Sequence, residues 1–271
     1  MWRFETPEDE WRAYLDGTHY EIVWGRRLYR GIPWAPRCQV CLAPFGGPGG
    51  VVFRAIGIRR WDKNPNVCNH CIRALIKHEV MGAEAEISFL FADVRRSSEL
   101  ARRMDSLEFA RLMQRFYRVA NDVLLANSAI LDKFVGDEAV GFFMPFMTGP
   151  DHAGAALRAA RELLDATGHG RDGDEPWIPL GAGVNTGRTF VGMVSSGSGS
   201  EFTAFGDPIN VAAHLAAVAG PGEILTTSDT LDAARLDPDA FERRAVSLKG
   251  HHVGAFVLPV SSGRPPASAK R

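Results

Sequence analysis

The sequence predicts an α+β chain: a ferredoxin-like βαββαβ sheet domain preceded by a small cysteine-held module. Three observations carry that expectation. Hydrophobic periodicity over residues 86–260 alternates between strand and helix in the order strand–helix–strand–strand–helix–strand, the split βαβ plan. Residues 1–80 hold all four cysteines, in two CxxC pairs, and Trp2, Trp11, Trp24, Trp34 and Trp61. The hydrophobic share of 45% and charged share of 23% are those of an ordinary globular protein. The predicted organisation is a cysteine module with a linker helix over 1–80, a sheet domain over 81–260 and a disordered polar tail over 261–271.

The elements follow in order. Thr6-Pro7-Glu8-Asp9 is a capping pattern with proline at the first helical position, so a helix runs to about Leu15. After the turn-rich PFGGPGG, the β-branched run Val51–Ile58 predicts a strand, and IRALIKHEV (72–80) predicts a linker helix. Glu86–Ala92 is an apolar strand, and Ser106–Asn127 carries a helical apolar stripe. Ile130–Val135 and Ala139–Met144 are strands joined by the tight turn Gly136-Asp137-Glu138. Asp151–Thr167 is a second amphipathic helix. Pro179–Asn185 and Arg188–Val194 read as a hairpin across Thr186-Gly187. A helix over about Pro208–Ala219 and strands at Glu223–Thr227 and Ala255–Val260 complete the domain.

Charge and hydropathy narrow the partners. Lys+Arg 31 against Asp+Glu 32 leaves a formal charge of −1, which argues against nucleic acid as the main partner. The longest apolar run, Ala139–Met147, is far short of the roughly 20 residues that span a bilayer. The acidic start MWRFETPEDEW lacks the apolar core of a secretory signal, so a cytoplasmic location is expected and the cysteines are poor candidates for disulfides.

Cys38-x2-Cys41 and Cys68-x2-Cys71 are knuckles whose four thiolates suit a tetrahedral zinc ion, with an iron–sulfur cluster as the alternative and four unrelated buried thiols as the plain reading. His70 reads as solvated, and His251-His252 show no ligand spacing. The stretch Trp24–Trp34 interleaves arginines with aromatics. It suits nucleic acid or a membrane surface, but more often such a stretch packs its aromatics into a local core.

Asp93 ends the first sheet strand and Asp137 sits in the hairpin turn. In this topology the two carboxylates can meet, an arrangement that holds divalent ions against a triphosphate. A turn aspartate plus a solvated loop aspartate is the plain alternative. FADV (91–94), KFVGDE (133–138), GVNTGRTFVGMV (183–194), FTAFGDPINVAAHL (202–215) and SLKG (247–250) resemble, in order, the motifs of the class III adenylate and guanylate cyclase catalytic domain. The resemblance covers residues 86–260 and implies that domain's fold and a phosphorus–oxygen lyase activity in cyclic-nucleotide signalling.

Carried over by position, Asp93, Val94 and Asp137 would bind two Mg²⁺ or Mn²⁺ ions. Lys133 and Thr203 would read the base, a pairing similar to adenylyl rather than guanylyl cyclases, so ATP is the expected substrate and 3′,5′-cyclic AMP with pyrophosphate the product. Asn210 would orient the ribose, and the turn leading to Ser97 and Ser98 would cradle phosphates. The resemblance also implies a head-to-tail homodimer with sites shared between protomers. Two departures stand out. His214 occupies the position of a transition-state arginine, which makes a weak or inactive nucleotide-binding domain the alternative reading. Arg96 replaces a turn glycine that can require positive φ. Arg96 and Arg188 are the candidates to replace the missing cation. A Gly-Asp-Glu hairpin also occurs in enzymes that join two GTPs, but Asn210 and Leu-Lys-Gly stand against that.

Overall fold

The computed structural model describes residues 4–62, 64–76, 82–170, 175–196, 199–248 and 251–260, with the backbone alone at 131–135, 193–196, 199–202, 248 and 251–253. In chain order the elements are α1 (Pro7–Leu15), α2 (Tyr20–Tyr29), α3 (Gly47–Ala55), β1 (Arg60–Trp61), β2 (Asn64–Cys68), α4 (Asn69–Ile76), β3 (Gly82–Val94), α5 (Ser97–Arg103), α6 (Ser106–Ala126), β4 (Ile130–Val135), β5 (Glu138–Phe143), α7 (Pro145–Thr148), α8 (His152–Ala166), β6 (Leu180–Ser196), β7 (Gly199–Phe205), α9 (Asp207–Val218), β8 (Ile224–Thr227), α10 (Ser228–Ala233), β9 (Glu242–Leu248) and β10 (His251–Leu258). They fall into two compact units. One comprises Met1–Ala85, Met144–Pro150 and Thr189–Phe205; the other comprises Glu86–Phe143, Asp151–Arg188 and the chain from Gly206. The predicted tail and the end of the predicted linker helix lie outside the described residues.

The second unit is built on the expected plan. Its strands run in the order β4-β5-β3-β6-β8-β10-β9. β5 is antiparallel to both β3 and β4, with Leu90 opposite Gly141 and Ile130 opposite Phe142. The Arg95 N–H donates to the Pro179 carbonyl at 2.8 Å, while further back along β3 the Ser88 hydroxyl meets Thr186 at 2.6 Å. Residue numbers therefore fall on one strand as they rise on the other, so β3 and β6 are antiparallel. β8 joins β6 in parallel, with Ala182 opposite Ile224. β9, which carried no clear sequence signal, closes the far edge against β10.

Helices α6 and α8 cover this sheet with their apolar stripes. Met113, Phe116, Ala120 and Leu124 of α6 meet Ala156, Ala160, Leu163 and Leu164 of α8 and Leu90 and Phe143 of the sheet in one buried cluster. Each fully buried Leu or Phe contributes about 1.5–3 kcal/mol relative to exposure. Asp105 caps α6 by accepting from the backbones of Leu107 and Glu108, with the Glu108 side chain completing the capping box. α9 lies so close to β6 that a Cβ on Gly183 would stand 2.3 Å from the Ala212 carbonyl oxygen and the Ala216 nitrogen. Glycine in that strand is the condition for the close approach.

Two local expectations are corrected. Thr186-Gly187 is not a turn: β6 runs straight through it. The Asn185 and Thr186 side chains are buried and bonded, Asn185 Nδ2 donating to the Pro208 carbonyl at 2.9 Å and Asn185 Oδ1 accepting from Thr227 Oγ1 at 2.7 Å. These turn-forming residues serve side-chain bonds inside a strand, and β6 continues to Ser196, which pairs with Gly199 of β7. The second correction falls at Val51–Ile58, which is largely α3 rather than a strand. Gly46 precedes the helix and Pro48 stands in its first turn, a start signal that outweighs the β-branched pair Val51-Val52.

In the first unit, Thr6 accepts from the Asp9 backbone and caps α1 as expected. Trp11, Leu15, Ile22, Ile72 and Leu75 are buried. Arg26 ties the unit together, donating from Nε to the Val40 carbonyl and from Nη2 to the Phe146 carbonyl, each at 2.8 Å. The aromatics of the basic stretch divide: Tyr29 meets Phe53 edge to face at 4.9 Å and Trp34, though 37% exposed, lies against Gly47 and Gly49, while Trp24 is 52% exposed.

Candidate active site and metal centre

Asp93 is one of the last residues of β3 and pairs in register with Glu138, the first residue of β5. The Val94 N–H donates to the Asp137 carbonyl at 3.1 Å, so the hairpin turn lies against the strand end. Gly136 makes that turn with φ of 61°, and Tyr117 Oη donates to its carbonyl. The sheet therefore brings Asp93 and Asp137 to one corner, where Glu138 joins them.

Arg95 is the neighbour that the sequence reading passed over. Its guanidinium is ion-paired with the Asp93 carboxylate, and Nη1 also donates to the carbonyls of Ala217 at 2.7 Å and Ala219 at 3.3 Å. Burial pushes Glu138 above the usual carboxylate range, Asp137 adds to that, and Arg95 opposes it. Burial likewise lowers Arg95, against the pull of Asp137 and Glu138. Three carboxylates around one guanidinium leave an excess of negative charge at this corner, and carboxylates are the ligand type that a hard divalent cation takes, although among the described residues their oxygens do not converge into a set of three ligands.

The other predicted residues are distributed as follows. Arg96 sits in the left-handed region at φ 56°, ψ 33°, immediately before α5, so the residue standing where the family has glycine does take a glycine-like conformation. Ser97 and Ser98 open α5. Asn210 is exposed in the first half of α9, its Nδ2 reaching the Gly206 carbonyl at 3.4 Å. His214, one turn on along α9, points Nε2 at the Ser247 carbonyl of β9 at 2.9 Å. A carbonyl only accepts, so that nitrogen carries the proton and is committed to β9. Lys133 lies on β4 in the stretch between Leu131 and Phe134 where the register shifts; its side chain is outside the described residues. Thr203 belongs to the other unit, half-buried on β7 opposite Gly192.

Arg188 is remote from the Asp93–Asp137 corner of its own chain. It stands nine residues along β6 from Pro179, which bonds Arg95, and at ~3.3 Å per residue that is roughly 30 Å. The expected hairpin that would have returned it toward the site does not exist. Arg188 instead lines a cleft of about 680 Å³ with Asn185, Thr186, Asp207, Asp229 and Arg243. Behind that cleft the Ser88 hydroxyl bonds His152 Nδ1 at 2.9 Å as well as Thr186. This buried polar chain had no signature in the sequence.

In the first unit the two knuckles converge. Cys38 and Cys71 Sγ are 4.0 Å apart, Cys41 and Cys68 Sγ 3.8 Å, and all four buried sulfurs lie within 4.8 Å of one another. The Cys68 N–H donates to Cys38 Sγ and the Cys71 N–H to Cys68 Sγ, the backbone support a thiolate needs. Thiol hydrogen bonds from Cys41, Cys68 and Cys71 hold Cys38 well below the usual thiol range, and Cys38 pushes Cys41 and Cys71 up. His70 is exposed.

With this geometry in view, the comparisons with known proteins can be placed. The sequence model described as "Adenylate and Guanylate cyclase catalytic domain" matches residues 80–259. The chain belongs to that family. Among solved structures this cyclase domain resembles the adenylyl cyclase CyaB from P. aeruginosa, at TM-score 0.58 and 23% identity over 69% of this chain and 99% of that one. It also resembles the guanylyl cyclase Cya2, at TM-score 0.56 and 24% identity over 68% of this chain and 98% of that one. At such identities the likeness establishes the shared α+β fold. A protein of Mycobacterium tuberculosis (strain CDC 1551 / Oshkosh), named only as uncharacterized, is 29% identical over 191 residues, 69% of this chain and 33% of its own length. The chain thus spans about a third of the curated relatives it matches. Among the described residues no helix is long and apolar enough to cross a membrane.

Proposed function

We propose that the cyclase domain converts ATP to 3′,5′-cyclic AMP and pyrophosphate, with two divalent ions at a site shared by the protomers of a head-to-tail homodimer. The observation that carries this reading is the corner formed by Asp93 and Asp137, joined through the Val94–Asp137 backbone bond. Asp93, the Val94 carbonyl and Asp137 would hold two Mg²⁺ or Mn²⁺ ions, which supply Lewis-acid activation of the ribose 3′-OH and of the triphosphate. Asn210 orients the ribose, Lys133 and Thr203 read adenine, and the Ser97-Ser98 turn receives phosphate oxygens. Arg95 fixes the Asp93 carboxylate against α9 until an ion competes for it. In a homodimer the distant Arg188 serves at most the partner's site.

A second reading, a nucleotide-binding cyclase domain with little turnover, is favoured by one observation. His214 Nε2 is spent on the Ser247 carbonyl, so it offers the α-phosphate neither a permanent charge nor a fork of donors. Calorimetry separates the two: metal-dependent ATP binding without product supports the second, and product above an Asp93→Ala control supports the first.

We further propose that Cys38, Cys41, Cys68 and Cys71 hold one zinc ion. A tetrahedron with ~2.3 Å zinc–sulfur bonds has sulfur–sulfur edges of roughly 3.8 Å, and the pairs at 3.8 and 4.0 Å match it. An iron–sulfur cluster would spread the thiolates over several irons. Metal analysis of the purified chain should return one zinc per chain. Iron with a visible absorption band would overturn the assignment.

A further inference from the structure

The segment between Ile22 and Trp61 contains seven arginines and no aspartate, glutamate or lysine. Some of these cations are used internally. Arg26 holds two carbonyls, Arg37 donates to the Tyr29 and Arg30 carbonyls, and Arg27 lies over the Trp24 ring at 5.5 Å. Arg54, Arg59 and Arg60 are different. All three are exposed, and together they line a cleft of about 460 Å³ with Phe45, Gly50 and Ile58. Among the described residues none of the three pairs with a carboxylate. Arg60 lies over the Phe45 ring at 5.4 Å, which holds its guanidinium at the cleft.

The same helix has an apolar outer face. On α3, Val51 is 64% exposed, Val52 60% and Ile56, just past its end, 65%. At 100° per residue, Val51, Val52, Ala55 and Ile56 share one arc of the helix, and Arg54 and Gly50 border it on the cleft side. An aliphatic ridge thus stands directly beside three unpaired guanidiniums.

We propose that α3 and this cleft form a docking site for an anionic phospholipid bilayer. Val51, Val52 and Ile56 enter the boundary between headgroups and acyl chains, while Arg54, Arg59 and Arg60 receive lipid phosphates. Charge complementarity and the ridge select this occupant together. A nucleic acid would use the arginines and leave the aliphatic ridge in water, and a small soluble phosphate would fill the cleft without touching the ridge.

The test is co-sedimentation of the full chain with phosphatidylcholine vesicles, with and without phosphatidylserine, over a salt series. Binding is expected only with phosphatidylserine and weakens as salt rises. Arg59→Ala/Arg60→Ala should weaken it roughly 25-fold, at about fivefold per basic residue. Val52→Ser/Ile56→Ser, which leaves the charge unchanged, should weaken it roughly tenfold or more. Both variants alter exposed side chains, and an unchanged metal content shows that the module is folded. Three results would overturn the proposal: no binding to either vesicle, a ridge variant that binds like the parent chain, or a DNA oligonucleotide bound as tightly as the vesicles.

Discussion

The two units of the chain reach a defined structure by opposite routes. The sheet unit buries a continuous apolar layer: Phe116, Leu124, Phe143, Leu163 and Leu180 are fully enclosed, and Phe89 and Phe142 meet edge to face at 5.3 Å. The cysteine unit has its own buried group, Trp11, Leu15, Ile22, Ile72 and Leu75, and its two knuckles meet through the four clustered sulfurs and the bond from the Gln39 N–H to the Asn66 carbonyl. With zinc bound as proposed, part of its order rests on chemistry that a chelator or a proton can remove, whereas the order of the sheet resides in area withdrawn from water. Ligand chemistry should therefore perturb one unit and leave the other intact, and packing changes should do the reverse.

The largest expected effect follows from Cys68→Ser. Removing one of four thiolates should abolish stoichiometric zinc and unfold the knuckles, since structural zinc sites carry on the order of 10 kcal/mol of apparent folding free energy. Hydrogen exchange should then rise through β2 and α4 while the β3 and β5 amides stay protected. Loss of protection in both units together would show that the two units do not hold their order independently. Gly183→Ala probes the packing side. Its Cβ would meet α9 backbone atoms at 2.3 Å, so a destabilisation of about 3 kcal/mol is expected, with zinc content unchanged.

His214→Arg sharpens the contrast at the active corner. Restoring a permanent charge one helical turn from Asn210 should raise turnover by roughly 10- to 100-fold, a conservative share of what a single charged donor contributes. A variant that stays at background favours the binding-only reading.

The smallest effect is a pH dependence of the sheet unit. Burial lowers His152 and His169 below the ordinary histidine value, and His169 Nε2 accepts the Leu180 N–H at 2.9 Å. Both therefore hold a proton less readily in the folded chain than in the unfolded one. A histidine depressed in the folded state takes up protons mainly on unfolding, so stability present above about pH 6.5 falls as pH drops through that value. Thermal melts between neutral pH and pH 5 should show this decline, and His152→Gln should flatten part of it. A melting temperature independent of pH in this window would contradict the assignment.

Much of this was legible in the sequence because periodicity reports burial. The stripe from Leu107 to Leu124 and the strands around Asp93 and Gly136 became α6, β3, β4 and β5 within a few residues of their expected ends. What misled was chemistry that serves more than one purpose. Asn185-Thr186-Gly187 has the composition of a turn, but its polar groups bond Pro208, Thr227 and Ser88, contacts set by strands and helices distant in sequence. Val51-Val52 favours a strand locally and was overruled by Pro48 at a helix start. At the candidate site, Asp93 and Asp137 could be read from motifs. The partnership of Arg95 with Asp93 and the α9 carbonyls, and the tether of His214 to Ser247, depend on how elements pack and could not.

The central claim is the chemistry of the Asp93–Asp137 corner, and one measurement tests it most directly. The purified chain is incubated with Mn²⁺ and each of ATP, GTP, CTP and UTP, beside an Asp137→Ala variant, and the products are resolved by chromatography and mass spectrometry. Cyclic AMP from ATP, reduced roughly 10³-fold or more in the variant, is the predicted result. No cyclic product from any of the four nucleotides, or equal product from the variant, would contradict it.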